Sequence, residues 1–252
     1  MASSQIQTFT EFSASNVEFS KLRKNKHGGN VIYLTGPSAS KLRFQFPKMR
    51  APFGLSNFVD KEKGTPSYSL DLSFDDDPEI NKVRKVLEEI DAKVVQFVSD
   101  NSQEFLKKKM STQLINDAML YKPLVRVATK EGFAPTCHMG LMCTNGKFQA
   151  EAYNIKRKPM KFEDLEKGQK VVCIADISSI YFINGKFGVT MRLQQCVAFP
   201  SEKLKAFAFV GLDDEIAAAA SASEGEEEET EEEAAAEEEE DFDDGGSDQA
   251  SV

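Results

Sequence analysis

The run KVVCIADISSIYFINGKFGVTMRLQQCVAF, Lys170–Phe199, constrains the fold more than any other stretch. At its centre, Asn184-Gly185 offers two residues that tolerate φ > 0, which a two-residue turn between antiparallel strands demands. β-rich segments flank the turn, so the sequence predicts two long strands, about Val171–Ile183 and Phe187–Phe199. Strands of that length suit the curled ribbons of a small barrel. The residues NGKF recur at Asn145–Phe148, inside MCTNGKFQAEAYNIK, and predict a second hairpin. Shared turn chemistry explains that recurrence without an internal repeat.

Shorter strand patterns precede these. NVIYLT (Asn30–Thr35) and KLRFQF (Lys41–Phe46) are separated by the turn residues GPSAS. In KLRFQF, Leu42, Phe44 and Phe46 alternate with Lys41, Arg43 and Gln45, giving one apolar and one polar face. SYSLDLSF (Ser67–Phe74) alternates likewise, and KPLVRVAT (Lys122–Thr129) reads as a further strand. Between them the period changes. Asp77-Pro78 forms an N-cap and first helical position, and Ile80, Val83, Leu87, Ile90, Val94 and Phe97 or Val98 make one apolar stripe. The spacing predicts a helix to about Ser99 and a shorter one over Ser102–Lys109. Residues 1–29 are mostly polar and read as a flexible N-terminal segment. The whole is a mainly β, α+β chain: an OB-fold-like, partly open β-barrel over 30–210, with a helical insertion at about 78–120. An unrelated α+β sheet domain fits the same element counts.

Charge divides the chain in two. Of its 41 Asp and Glu, 19 lie from Gly211 onward, where there is no Lys or Arg. All 31 Lys and Arg therefore stand in the first 210 residues against 22 acids, a basic body of about +9 within a chain of net −10. The tail, 211–252, is rich in Glu, Ala, Asp, Gly and Ser. Such a composition cannot offset its own ordering entropy and predicts disorder. Phe242 is its lone aromatic.

No pattern of a catalytic site is present. GxxxxGK[ST], GxSxG and HExxH are absent, and two histidines, His27 and His138, supply little acid–base chemistry. The four cysteines show no CxxC pair, and Cys137 and His138 point to opposite sides of any strand, so no metal site is expected. Asp75–Asp77 invite a metal or nuclease reading, but a capped helix start explains them more simply. The chain predicts no enzyme and no cofactor. MASSQIQTFTEF lacks the charge and apolar core of a signal peptide, and no apolar run nears the ~18 residues of a membrane span. A soluble, intracellular protein with no membrane partner is expected.

Cations and aromatic rings recur side by side. KLRFQFPKMRAPFGLSNF holds Lys41, Arg43, Lys48 and Arg50 with Phe53. Lys156, Arg157 and Lys158 follow Tyr153, while Tyr181 and Arg192 flank the second turn. Lys122, Arg126 and Tyr33 complete the candidates. Single-stranded nucleic acid asks for this pairing, because cations neutralise phosphates while rings stack unpaired bases at about 1–3 kcal/mol each. Against it stands the ordinary alternative, that phenylalanines at alternate strand positions are core and the cations opposite keep a face wet. An acidic tail tethered to a cationic groove becomes an internal competitor for nucleic acid.

PKMRAPFGLSNF (Pro47–Phe58) followed by SYSLDLSF resembles the single-stranded DNA-binding proteins of large nucleo-cytoplasmic DNA viruses, notably those of algae. The similarity runs on through IDAKVVQFVSDNSQEFLKKKMS, MLYKPLVRV, KFQAEAYN and FGVTMRLQQ, about Lys41–Val210. The resemblance implies an OB-fold with an inserted helix, related to single-stranded DNA-binding proteins of some tailed phages. It implies sequence-independent coating of strands in viral DNA replication, recombination and repair. Work at sites of viral replication follows, in the host nucleus or a cytoplasmic virus factory. It also implies an acidic tail that docks replication proteins such as a polymerase, helicase or primase, with Phe242 as docking residue. Two departures stand out. The chain runs ten residues past Phe242, and it has no Trp, with Phe105 standing where one is expected.

A rival reading comes from the tail alone: an acidic chaperone for histones or other basic proteins, on a body that serves as a platform for a homodimer. One gel-shift with single strands separates the two.

Overall fold

The turn residues lie where their chemistry requires: Asn184 and Gly185 have φ of 51° and 74°, and Asn145 and Gly146 have 52° and 73°. This computed structural model describes residues 6–26, 28–59, 64, 66–128, 130–201 and 212. Among the described residues all elements lie within Met1–Ser201; of the acidic tail only Leu212 is described, and Phe242 lies outside the described residues. The chain is mainly β with one long helix. Its principal strands are β1 (Asn30–Thr35), β2 (Leu42–Gln45), β3 (Met49–Ala51), β4 (Leu55–Val59) and β5 (Pro66–Ser73). Helix α1 (Pro78–Asp100) precedes β6 (Thr136–Leu141), β7 (Glu151–Asn154), β8 (Gln169–Ile183) and β9 (Lys186–Ala198).

Five strand segments close a ring. β2 and β3 act as one bent strand, pairing in turn with Ile174–Ile177 and Gln169–Val171 of β8. β3 passes to β5 at Arg50↔Ser73, and β5 pairs antiparallel with β6 from Ser73↔Thr136 to Tyr68↔Leu141. β6 meets β9 in parallel at Gly140↔Arg192, and the β8–β9 hairpin returns the path to its start. Two of the seams, Arg50↔Ser73 and Gly140↔Arg192, are single residue pairs. The β8–β9 ladder shifts register at Ile174/Ala175 and Ile177/Ser179; such bulges bend and twist a long ribbon so that it can curl. β1 adds to β8 and β7 adds in parallel to β9.

The core fills the ring. Leu42, Phe44 and Phe46 are buried, as their alternation predicts, together with Leu70, Leu72, Cys137, Met139, Cys173 and Cys196. Asp77 caps α1 by accepting from the Glu79 and Ile80 N–H groups at 2.8 and 3.2 Å. The stripe Ile80, Val83, Leu87, Ile90, Val94 and Val98 joins the same core, while Phe97 stacks on Phe19 at 4.1 Å.

Three expectations need correction. The N-terminal segment read as flexible is tied down: Gln7–Thr8 pairs with Phe44–Gln45, and Phe9 and Phe12 are buried against Phe44 at 4.7 and 4.8 Å. A few apolar residues in a polar stretch carry no period, so their destination is tertiary. The strand read over Lys122–Thr129 is only two pairing fragments, Tyr121–Lys122 and Val125–Arg126, because Pro123 has no N–H for a ladder. The helix read over Ser102–Lys109 stops at Phe105, and a separate helix spans Thr112–Asp117, capped by Ser111. Lys107, at φ 61°, lies between them.

Candidate nucleic-acid interface

Tyr121–Arg126 form a strap laid across the ring. Tyr121–Lys122 runs parallel to Phe187–Gly188 of β9, and Val125–Arg126 pairs with Thr136–Cys137 of β6. Asp91, buried on α1, holds the strap: its carboxylate accepts from the Tyr121 hydroxyl at 2.5 Å and from the Leu124 N–H at 3.0 and 3.1 Å. Burial pushes this carboxyl up to about 6, against the pull of those donors. The strap sets Lys122 and Arg126 on the wall of a cleft of about 560 Å³ that also takes Phe58, Tyr68, His138, Tyr181 and Arg192.

This cleft is short of negative charge. Arg126 and Lys122 stand close enough that Arg126 holds the Lys122 ammonium below the usual lysine range, with burial acting the same way. Arg126 Nε is buried without a hydrogen-bond partner. The nearby Asp71 carboxylate, hydrogen-bonded to His138 Nδ1 at 2.7 Å, acts on the Lys122 ammonium in the opposite direction but more weakly than Arg126 and burial. Burial also raises the Tyr181 phenol, which Arg126 partly offsets. Two repelling cations and an unfilled donor make a seat for an anion, since a buried polar group without a partner carries a desolvation cost.

A second cleft of about 400 Å³ shares Arg192 and Met142 with the first and is lined by Tyr33, Lys41, Gln149 and Asp176. Tyr33 is 42% exposed there. A third, of about 520 Å³, contains Arg50, Pro52, Phe53, Val127, Lys130 and Phe133. The first two form one trough through Arg192. The third lies beyond Arg126, on Val127 and Ala128, the two residues that follow the strap.

The structure thus sorts the candidates. Tyr33, Lys41, Lys122, Arg126, Tyr181 and Arg192 meet in the trough, and Phe53 lies in the third cleft. Arg43 and Arg50 carry their own counter-ions. Arg43 bonds both Asp176 oxygens at 2.6 and 2.8 Å, and Arg50 bonds both Asp75 oxygens at 3.0 and 2.6 Å and Ser73 at 3.1 Å. Each guanidinium is held above its ordinary value by that carboxylate, and Asp75 is held below its own. Asp76 accepts from the Asn81 amide and Asp77 caps the helix, so all three acids of the Asp75–Asp77 run have local partners. Lys48 lies over the Phe199 ring at 4.3 Å. Lys156, Arg157 and Lys158 sit exposed on a turn held by Asn154 Oδ1, outside the three clefts. Tyr153 there donates to Glu151 at 2.7 Å, which raises its phenol. Sequence reasoning passed over Tyr68, His138 and Phe133. Phe133 had a readable signal: it stands in a loop bracketed by Gly132 and Pro135, where strand alternation cannot bury it.

Residues 70–210 match a family of unknown function, DUF5871. The chain belongs to that family. No curated protein matches it. Among solved structures, the single-stranded DNA-binding protein from bacteriophage Enc34 is similar at 13% identity, over 78% of this DUF5871 chain and 99% of that one, with a TM-score of 0.43. That phage protein in complex with single-stranded DNA matches at 12% identity, over 74% and 99%, with a TM-score of 0.43. The single-stranded DNA-binding protein gp2.5 encoded by bacteriophage T7 matches at 12% identity, over 68% and 98%, with a TM-score of 0.43. Among the described residues, no helix of this DUF5871 member is long and apolar enough to cross a membrane.

Proposed function

We propose that this DUF5871 protein binds single-stranded DNA without sequence preference and without catalysis, along the trough that runs past Tyr33, Arg192 and Arg126. One observation carries the reading. Lys122, Arg126 and Arg192 converge on a single cleft with no ion pair to any carboxylate among the described residues, beside Phe58, Tyr68 and Tyr181. Phosphates complete the cations and unpaired bases cover the rings. The ring of strands is read as an OB-fold. Counting bent β2–β3 as the first strand, the pairing order is 1-2-3-5-4-1. The Arg126 cleft takes Tyr68 and His138 from strands two and three and Phe58 from the connection between the first two strands, where OB-folds take oligonucleotides, together with Val189–Arg192 of strand five; the Tyr33 cleft lies on strands one, four and five.

In the fuller proposal the protein coats strands during viral DNA replication, recombination and repair, as a member of the large nucleo-cytoplasmic DNA virus type. Its acidic tail competes for the trough and, through Phe242, docks replication proteins. The test is a titration of fluorescent oligo-dT across a salt series. Binding is expected to weaken steeply with salt, and Arg126→Ala, Lys122→Ala and Arg192→Ala each to weaken it and to lower the salt slope by about 1. Wild-type affinity in all three variants overturns the assignment. Binding to histones but not to oligo-dT favours the chaperone reading instead.

A further inference from the structure

The third cleft holds two aromatic rings with no structural task. Phe133 is 70% exposed and Phe53 is 53% exposed, each on a separate loop, and Val127 at 80% lines the same cleft. Exposing three large apolar side chains around one cavity has a solvation cost that a ligand with an apolar face removes. Arg50, on its wall, is already neutralised by Asp75, which leaves Lys130 as the exposed cation beside the two rings; compared with the trough, this cavity offers more surface for a ring and less charge for a phosphate.

We infer that Phe53 and Phe133 form a stacking seat for one unpaired nucleobase of a strand whose backbone is held at Arg126. The inference rests on the proposed DNA-binding role and adds where the strand goes next. Continuity of the backbone selects the occupant. Arg126 faces the trough, and the next two residues, Val127 and Ala128, line the third cleft. On β6, His138 lies in the trough and Thr136 in the third cleft, two residues or about 6.8 Å apart along one face. A nucleotide whose phosphate meets Arg126 therefore has its neighbour's base within reach of both rings. Stacking needs no hydrogen-bond code, so the seat accepts any base.

The chain has no Trp, so Phe133→Trp introduces a sole indole reporter. Oligo-dT is expected to quench it, while an abasic oligomer of equal length is expected to bind through its phosphates and leave the emission unchanged. Phe133→Ala and Phe53→Ala are each expected to weaken oligo-dT binding by roughly 5- to 150-fold, with abasic affinity and salt slope unchanged. Arg126→Ala should weaken both oligomers. Intact wild-type binding with no loss in either phenylalanine variant overturns the seat and spares the trough. Equal losses for dT and abasic oligomers overturn it too, since the rings then act through the fold. A wild type that binds neither oligomer removes the trough, and the seat with it. Indole emission that answers a Glu237–Asp244 peptide and not oligo-dT assigns the cleft to the tail and overturns the base seat.

Discussion

Gly188 shows how tightly single atoms position the trough. A Cβ built there comes within 2.6 Å of the Tyr181 hydroxyl and 3.1 Å of the Lys122 carbonyl oxygen. Gly188→Ala must therefore push the Tyr181 ring out of place or lift the strap from β9. The expected outcome is several-fold weaker oligo-dT binding with a smaller loss of thermal stability, read by anisotropy and a melt on one sample. Unaltered affinity would show that Tyr181 touches no base. Gly54 makes the contrasting case. It has φ +61°, and its Cβ would meet the Leu165 carbonyl oxygen at 2.7 Å, which is backbone and cannot swing aside. Gly54→Ala should cost about 1–3 kcal/mol of stability in urea denaturation, from the left-handed conformation together with the clash. At this scale the sequence is a poor guide: both are single glycines, and only their neighbours separate a site effect from a fold effect.

Among the elements, α1 and the strap depend on each other through Asp91. Burial raises the folded carboxyl to about 6, whereas in the unfolded chain it titrates near 3.8. Between those values the folded protein binds a proton that the unfolded chain has released. The contribution of Asp91 is thus fully present below about pH 4 and is lost as pH rises to about 6, with a slope of at most about 1.4 kcal/mol per pH unit. Asp91→Asn removes the titration. Urea midpoints measured from pH 4 to 7 should fall less with rising pH in the variant than in the wild type; parallel curves exclude Asp91 as the source. Asp91→Ala leaves the Leu124 N–H buried without its acceptor. It should destabilise by about 1–3 kcal/mol and weaken oligo-dT binding as Lys122 and Arg126 lose their support. Much of α1 was legible in the sequence, because Asp77-Pro78 and the three- and four-residue apolar spacing act locally. The strap was not. KPLVRVAT has the composition of a strand, but it is split between β6, which follows it across a loop, and two partners remote in sequence, β9 and a carboxylate on α1.

At the scale of the whole molecule, a body of about +9 carries a tail of 19 acids. If that tail competes for the trough, removing residues 211–252 should tighten oligo-dT binding at low salt, and the gain should shrink as salt screens the tether. Equal affinities for the full and shortened chains across the salt series would end the competitor reading and leave the trough untouched. Turns, helix cap, apolar stripe and the split of charge along the chain were all readable from residue order alone. They rest on backbone dihedrals, side-chain period and composition, which neighbours in sequence control. The closure of the ring at Arg50↔Ser73 and Gly140↔Arg192 was not readable, nor was the division of the cations into neutralised and unneutralised. Arg43 and Arg126 look alike in sequence, each flanked by apolar residues in a strand-like run. Asp176, 133 residues further on, neutralises the first, while no carboxylate pairs with the second among the described residues. Charge acts through space over a few ångströms, so which arginine is left without a carboxylate among the described residues is decided by folding and not by residue order.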